Sequence, residues 1–197
     1  MLSGKGLLAG TPVPEIAARA IANSWGEALG PYTRAAFDVV CLPPREAGEI
    51  VVSGPHIVRS YLGGHGDAET KFDADGTRWH RTGDSGWFDT RGRLWLLDRC
   101  KAVVRDARGI LYPFAVETKA LGAAGVRRAA LASTGGRRVL LVELLAGAAP
   151  DLVAVREQLA WAGLDRVTVD AIPVDARHNA KVDYAALEAM VRRRDCG

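Results

Sequence analysis

Cysteine is scarce in this sequence, and the three that occur, Cys41, Cys100 and Cys196, are odd in number and widely spaced. That count excludes a paired disulfide framework, and no Cys/His pair has zinc-finger spacing. Reduced thiols and a cytoplasmic setting are therefore expected. Long apolar runs are missing as well. None approaches the ~20 residues that span a bilayer, and no basic stretch followed by an apolar one opens the chain, so neither a membrane span nor a secretory signal is expected. Net charge is small, +3 from 26 Lys and Arg against 23 Asp and Glu. The arginine clusters Arg127-Arg128, Arg137-Arg138 and Arg192-Arg193-Arg194 are separated and do not interleave with aromatics. They read as solvated surface, and no nucleic-acid partner is expected.

Phosphate-loop and metal-loop signatures are also wanting. Ser3-Gly4-Lys5-Gly6 lacks the preceding glycine spacing and the Ser or Thr after the lysine. Asp73-x-Asp75-Gly76 lacks the distal glutamate of a calcium loop and reads as a turn. What is present is a globular balance: 197 residues, 48% hydrophobic and 25% charged, enough for one ordinary domain or two small ones. No internal repeat or low-complexity tract interrupts it.

The first ~95 residues are rich in Gly and Pro and carry short β-type runs. Glu49–Ser53 ends at Gly54-Pro55, Phe37–Leu42 ends at Pro43-Pro44, and Arg93–Leu97 follows the turn Asp89-Thr90-Arg91-Gly92. Another strand is expected near Ala17–Ala22, leaving Asn23–Leu29 as loop. From Lys101 the pattern changes. Val103-Val104 and Leu111-Tyr112 flank Asp106-Ala107-Arg108-Gly109, a hairpin signal. Pro113 opens a helix through Leu121. Arg127–Ala132 and Arg138–Leu144 read as a strand pair. Asp151 caps a helix to about Ala162 that Gly163 stops, and Val167–Ile172 reads as a strand. Asp183 starts a last helix, with Leu187, Met190 and Val191 on its buried side. This half therefore reads β-β-α-β-β-α-β-α, a small α+β unit.

Three ordered stretches carry chemistry: Trp79-His80-Arg81-Thr82-Gly83-Asp84, then Asp98-Arg99-Cys100-Lys101, then Asn179-Ala180-Lys181-Val182-Asp183. Thr82-Gly83-Asp84 alone reads as a common turn. Its flanks make it specific: Gly48-Glu49-Ile50-Val51-Val52-x-Gly54-Pro55 and Ser60-Tyr61-Leu62 ahead, Gly86-Trp87-Phe88-Asp89-x-x-Gly92-Arg93-Leu94 behind. Together the stretches resemble the C-terminal portion of the adenylate-forming superfamily: acyl-CoA synthetases, peptide-synthetase adenylation domains and luciferase. The run Ile172-Pro173-Val174-Asp175-x-Arg177-His178-Asn179-Ala180-Lys181 narrows the resemblance to the β-lactone synthetases of olefin biosynthesis.

The resemblance implies an α+β fold: a Gly/Pro-rich, β-barrel-like subdomain over residues 1–98, then a mobile C-terminal α+β domain over residues 99–197, with a hinge near 99–101. It implies that Asp84 accepts hydrogen bonds from the ribose hydroxyls of ATP or AMP, as a carboxylate can from two vicinal hydroxyls. Arg99 would contact the ribose or α-phosphate side, Lys101 would be the hinge, and Lys181 would be the catalytic lysine. The family often has Gly where this chain has Asp98, and usually has Gly before the lysine where this chain has Ala180. Gly109, Pro113 and Glu117 resemble the family's hairpin and helix start after the hinge, and serve equally as plain turn and helix residues. His178 reads as a loop residue that orders the lysine stretch.

The family's phosphate loop, its Mg²⁺-binding stretch and most of its acyl pocket have no counterpart here. Gly10-Thr11-Pro12-Val13-Pro14 resembles the segment just after the Mg²⁺-binding glutamate. The expectation is therefore a chain that starts inside the enzyme's architecture and exposes apolar surface. That surface would be covered by an N-terminal adenylating domain or chain, or by self-association. The carboxylic acid substrate would be fatty or β-hydroxy, with an acyl carrier protein or CoA as further partners. The alternative is an inactive module that docks an acyl carrier protein or a ligase partner.

Overall fold

A computed structural model describes residues 6–175 and 181–195. The chain divides between Lys101 and Ala102 into two units, each with its own core. Arg177, His178, Asn179, Ala180 and Cys196 lie outside the described residues, as does the Ser3-Gly4-Lys5 stretch. Among the described residues no helix is long and apolar enough to cross a membrane.

In the first unit the elements run β1 (Leu7–Gly10), β2 (Ala17–Ile21), α1 (Arg34–Val40), β3 (Gly48–Ser53), α2 (Asp67–Thr70), β4 (Lys71–Ala74), β5 (Thr77–Phe88) and β6 (Leu94–Arg99). The strands form one antiparallel sheet in the order β1-β6-β5-β3-β2, with β4 also on β5. Asp75 and Gly76 close the β4–β5 hairpin, both at positive φ (50° and 72°). Asp-Gly tolerates that geometry, and its twist matches the strands. One face carries a core of Ile21, Phe37, Val51, Phe72, Ala74 and Trp79. Its aromatic rings meet at 4.8 Å (Phe37–Trp79) and 5.7 Å (Phe37–Phe72).

Phe37–Leu42, expected as a strand, is mostly helix. Thr33 Oγ1 accepts from the Ala36 amide, Arg34 pairs with Asp38 one turn on, and Phe37 buries its ring. A cap, an i,i+4 ion pair and one aromatic anchor outweigh the β-branched pair Val39-Val40. Past the helix, Cys41 bridges to the sheet opposite Ile21, and the Leu42 amide donates to the Ala20 carbonyl (2.7 Å).

On β4, Lys71 is 5% exposed, and its ammonium has basic and aromatic neighbours. Its Nζ lies 3.2 Å from His80 Nδ1 and 4.5 Å from the Tyr61 ring centroid. Burial, then the Lys71 charge, hold the His80 pKa below its ordinary value. The unfolded chain therefore takes up the proton first, and stability is lost as pH falls below ~6.5 towards the lower folded value. Urea midpoints at pH 7.5 and 5.5 should differ more in the wild type than in His80→Asn, which keeps an acceptor but cannot protonate.

The second unit runs β7 (Val104–Asp106), β8 (Gly109–Leu111), α3 (Pro113–Leu121), β9 (Val126–Thr134), β10 (Arg137–Leu144), α4 (Leu152–Gln158), β11 (Arg166–Val169) and α5 (Tyr184–Asp195). The sheet order is β11-β10-β9, with β11 parallel to β10. Period-two alternation feeds both faces. Leu131, Leu140 and Val142 pack with Val116 and Ala120 of α3 and Val155 of α4. Ala130, Ala132, Val139 and Leu141 pack with Leu187 and Val191 of α5. Asp151 caps α4 and Asp183 caps α5, each accepting amides of the first turn. β11 ends at Val169, short of the expected Ile172, whose side chain still enters the α5-side core.

Arg138, grouped by sequence with surface arginines, is buried. Its guanidinium takes both oxygens of Asp106 at 2.7 Å and the Ala162 carbonyl at 2.7 Å. Arg108 joins Asp106 to Asp165, whose Oδ2 accepts the Arg138 amide. Hydrogen bonds from Arg138 hold the Asp106 carboxyl down to about 2. The network fastens the β7–β8 hairpin to the β9–β10 sheet, so the hairpin belongs to the second unit.

Candidate functional site

Glu49 pairs with Ser85 and Val51 with Arg81, so Ile50 alone on β3 faces Thr82, Gly83 and Asp84 on β5. The extra residues form a bulge inside the strand, where the tripeptide alone reads as a turn. On the opposite edge of β5, β4 pairing stops at His80 and β6 pairing starts at Asp84. Thr82 staples the bulge: its Oγ1 donates to the Ile50 carbonyl (2.8 Å) and accepts from the Asp84 amide (3.0 Å). Gly83 sits at φ +69°, and a Cβ there would meet the Trp25 ring at 2.9 Å. A larger residue would be strained by conformation and by space alike.

Asp84 leaves the bulge directly opposite Arg99 of β6. Arg99 Nη1 meets Asp84 Oδ1 at 3.0 Å, and also reaches the Thr82 carbonyl at 3.4 Å. Partial burial raises the Asp84 pKa, and Arg99 opposes the rise. The Asp98 carboxylate, where the family often has Gly, accepts the Arg99 amide at 2.6 Å. Two residues that sequence reasoning assigned to one nucleotide are thus brought together as a cross-strand pair on a partly open surface.

Cys100–Ala102 is a single 3-10 turn with Lys101 exposed. Cys100 is buried, and burial pushes its thiol up to about 11. Lys181 belongs to the second unit and is exposed. Its carbonyl accepts the Asp175 amide (2.9 Å), Val182 bridges Val174, and the Pro173 carbonyl accepts the Asp183 amide (2.9 Å). This ladder, followed directly by the Asp183 cap, fixes the backbone at Lys181. Glu117 takes a structural part: it accepts from the Leu131 amide (2.8 Å) and the Tyr184 hydroxyl (3.0 Å), joining α3 to β9 and α5. No group of three or more His, Cys, Asp or Glu that could hold a metal ion occurs among the described residues.

Sequence reasoning missed the support beneath the bulge. Arg81 and Glu49 form a fully buried pair, with Nη2 2.6 Å from Oε2. Arg81 Nη1 donates to the Glu27 carbonyl, and its guanidinium lies 5.3 Å from the Trp25 ring centroid. The available signal was a lone acid inside the apolar run Glu49-Ile50-Val51-Val52, since a buried carboxylate needs a partner.

No family model matches the chain. Over 156 residues it is 40% identical to an olefin β-lactone synthetase of Stenotrophomonas maltophilia, covering 70% of this chain and 28% of that protein. Over 89 residues it is 33% identical to a 2-succinylbenzoate–CoA ligase of Enterococcus faecalis, covering 45% of this chain and 18% of that one. ATP-bound MatB from Rhodopseudomonas palustris shares the fold, with a TM-score of 0.70 at 23% identity over 94% of this chain and 36% of its own. The chain is similar to the C-terminal portion of enzymes of the adenylate-forming superfamily, and it has the expected α+β fold. Within that superfamily it is similar to the olefin β-lactone synthetases, and it spans 28% of the length of the S. maltophilia relative.

Proposed function

We propose that the chain is the C-terminal portion of an ATP-dependent acyl-adenylate-forming ligase of the β-lactone-forming branch. It acts with an N-terminal portion that carries the phosphate loop, the Mg²⁺ site and the acyl pocket. The observation that carries this reading is the Asp84–Arg99 pair at the bulge, 3.0 Å apart. It sets a carboxylate acceptor and a guanidinium donor side by side, the complement of a ribose diol next to a phosphate.

In the first half-reaction a substrate carboxylate oxygen bonds to the α-phosphorus of ATP as the bond to pyrophosphate breaks. Asp84 accepts from the ribose hydroxyls, Arg99 lies to the ribose or α-phosphate side, and the Lys181 ammonium offsets charge gathering on the α-phosphate and carboxylate oxygens. In the second, the substrate's β-hydroxyl oxygen bonds to the acyl carbon, the bond to AMP breaks, and the hydroxyl proton is released; no CoA is consumed. Lys101 serves as the hinge between half-reactions, a reading supported by the division of the chain at that residue. The N-terminal portion, or a second copy, would cover apolar side chains such as Val39 and Leu62, 84% and 97% exposed. Free thiols at Cys41 and Cys100 suit a reducing cytoplasm.

The test is product analysis with a β-hydroxy fatty acid, ATP and both portions, without CoA. AMP and a product lighter than the acid by one water are expected. A thioester formed only when CoA is added would keep the adenylation chemistry and remove the lactone branch.

A further inference from the structure

The loop between β2 and α1 touches the bulge and the hinge at once. Asn23 Oδ1 accepts the Trp25 amide (3.1 Å), and Asn23 Nδ2 donates to the carbonyl of Cys100 (3.3 Å), the residue before Lys101. Four residues on, the Glu27 carbonyl accepts from Arg81. Between these anchors the Trp25 ring lies against Gly83, filling the space where a side chain would stand, with the buried Arg81 guanidinium beside it. The bulge is thus held twice. Thr82 bonds it to β3 through a hydroxyl, and Trp25 covers the side of β5 that Arg81 and Gly83 share. Neither hold involves Asp84's carboxylate, which stays available to Arg99 and solvent.

We propose that Trp25 is a positioning residue for Asp84, and that the Asn23–Glu27 segment ties the bulge to the residue preceding the hinge. The proposal rests on the ribose-binding reading of Asp84. An indole is rigid, and its van der Waals contact with a residue lacking Cβ fixes the backbone from which Asp84 projects. The same segment, through Asn23, fixes the carbonyl from which the hinge departs. Bulge geometry and hinge entrance are therefore set by one piece of chain, and loosening it disturbs both.

Two measurements on the chain separate this role from simple stability. The first is amide hydrogen exchange. Trp25→Ala should speed exchange at Asp84 by about tenfold or more, an opening cost of ~1.4 kcal/mol or more, while amides of β9 and β10 keep their rates. Trp25→Phe, which retains a flat ring, should recover most of the protection. Unchanged exchange at Asp84 in Trp25→Ala would overturn the proposal. The second compares AMP with 2′,3′-dideoxy-AMP, using the chain together with the phosphate-loop portion. Trp25→Ala should lose the preference for AMP as Asp84→Asn does, with Trp25→Phe close to wild type. Full preference in Trp25→Ala would overturn the proposal, as would equal weakening of both nucleotides. If Asp84→Asn itself keeps the preference, the ribose reading fails instead, and the exchange experiment still decides whether Trp25 orders the bulge.

Discussion

Replacing Lys181 by alanine is expected to slow acyl-adenylate formation by on the order of 10²–10³-fold, the usual effect of removing one fixed charge-stabilising donor from a polar transition state. The charge that needs offsetting appears as pyrophosphate departs, so the loss should fall on the rate at saturating ATP more than on the ATP concentration required. Consumption of a supplied acyl adenylate, in which no pyrophosphate leaves, should be nearly unchanged. The ladder through Val174 and Val182 and the Asp183 cap use backbone and neighbouring groups. The substitution should therefore leave the fold intact, with the same urea midpoint as wild type. Single-turnover measurement of both half-reactions checks the split. Equal slowing of both would remove Lys181 from adenylation chemistry.

The second large effect is on stability. Arg81→Met leaves the Glu49 carboxylate, which is 0% exposed, without its cation. Breaking a buried pair on one side costs about 3–5 kcal/mol, a large share of the ~5–15 kcal/mol that holds a typical domain together. Urea unfolding of the first unit, followed through its buried tryptophans, should shift accordingly. Arg81→Met combined with Glu49→Leu should recover much of the loss, because an apolar pair of similar volume carries no desolvation cost. Recovery should stop short of the nucleotide, though. Without Arg81 the Glu27 carbonyl loses its donor and Trp25 its cationic neighbour, so preference for AMP over its dideoxy analogue should stay impaired. A double variant as unstable as Arg81→Met would contradict the account of the pair.

These two cases divide along the line between what the sequence announces and what it hides. Asp84 and Arg99 were legible because their flanks form ordered strings, and antiparallel register then makes them partners. Helix α3 was legible at its start, since Pro113 pre-sets its first turn. Helix α1 was not. A seven-residue helix leaves little periodicity to read, and Val39-Val40 imitates a strand. Arg138 was hidden because a charged pair in sequence says nothing about burial; its partners, Asp106 and the Ala162 carbonyl, lie 32 and 24 residues away. Trp25 was hidden for a related reason. Its contact is with a glycine 58 positions on, and absence of a side chain leaves no complementary signal. The bulge lay between these extremes, its residues conspicuous and its shape, two strand registers offset across Ile50, invisible without the partner strand.

The central claim, that this chain completes an adenylating site it does not hold alone, is tested most directly by ATP–pyrophosphate exchange. The chain, the phosphate-loop portion and their mixture would each be assayed with fatty and β-hydroxy acids, using wild type, Asp84→Asn and Lys181→Ala. Exchange is predicted in the wild-type mixture, in neither portion alone, and at strongly reduced rates with both variants. A stable complex that gives no exchange with any acid, or exchange indifferent to Asp84 and Lys181, would contradict it.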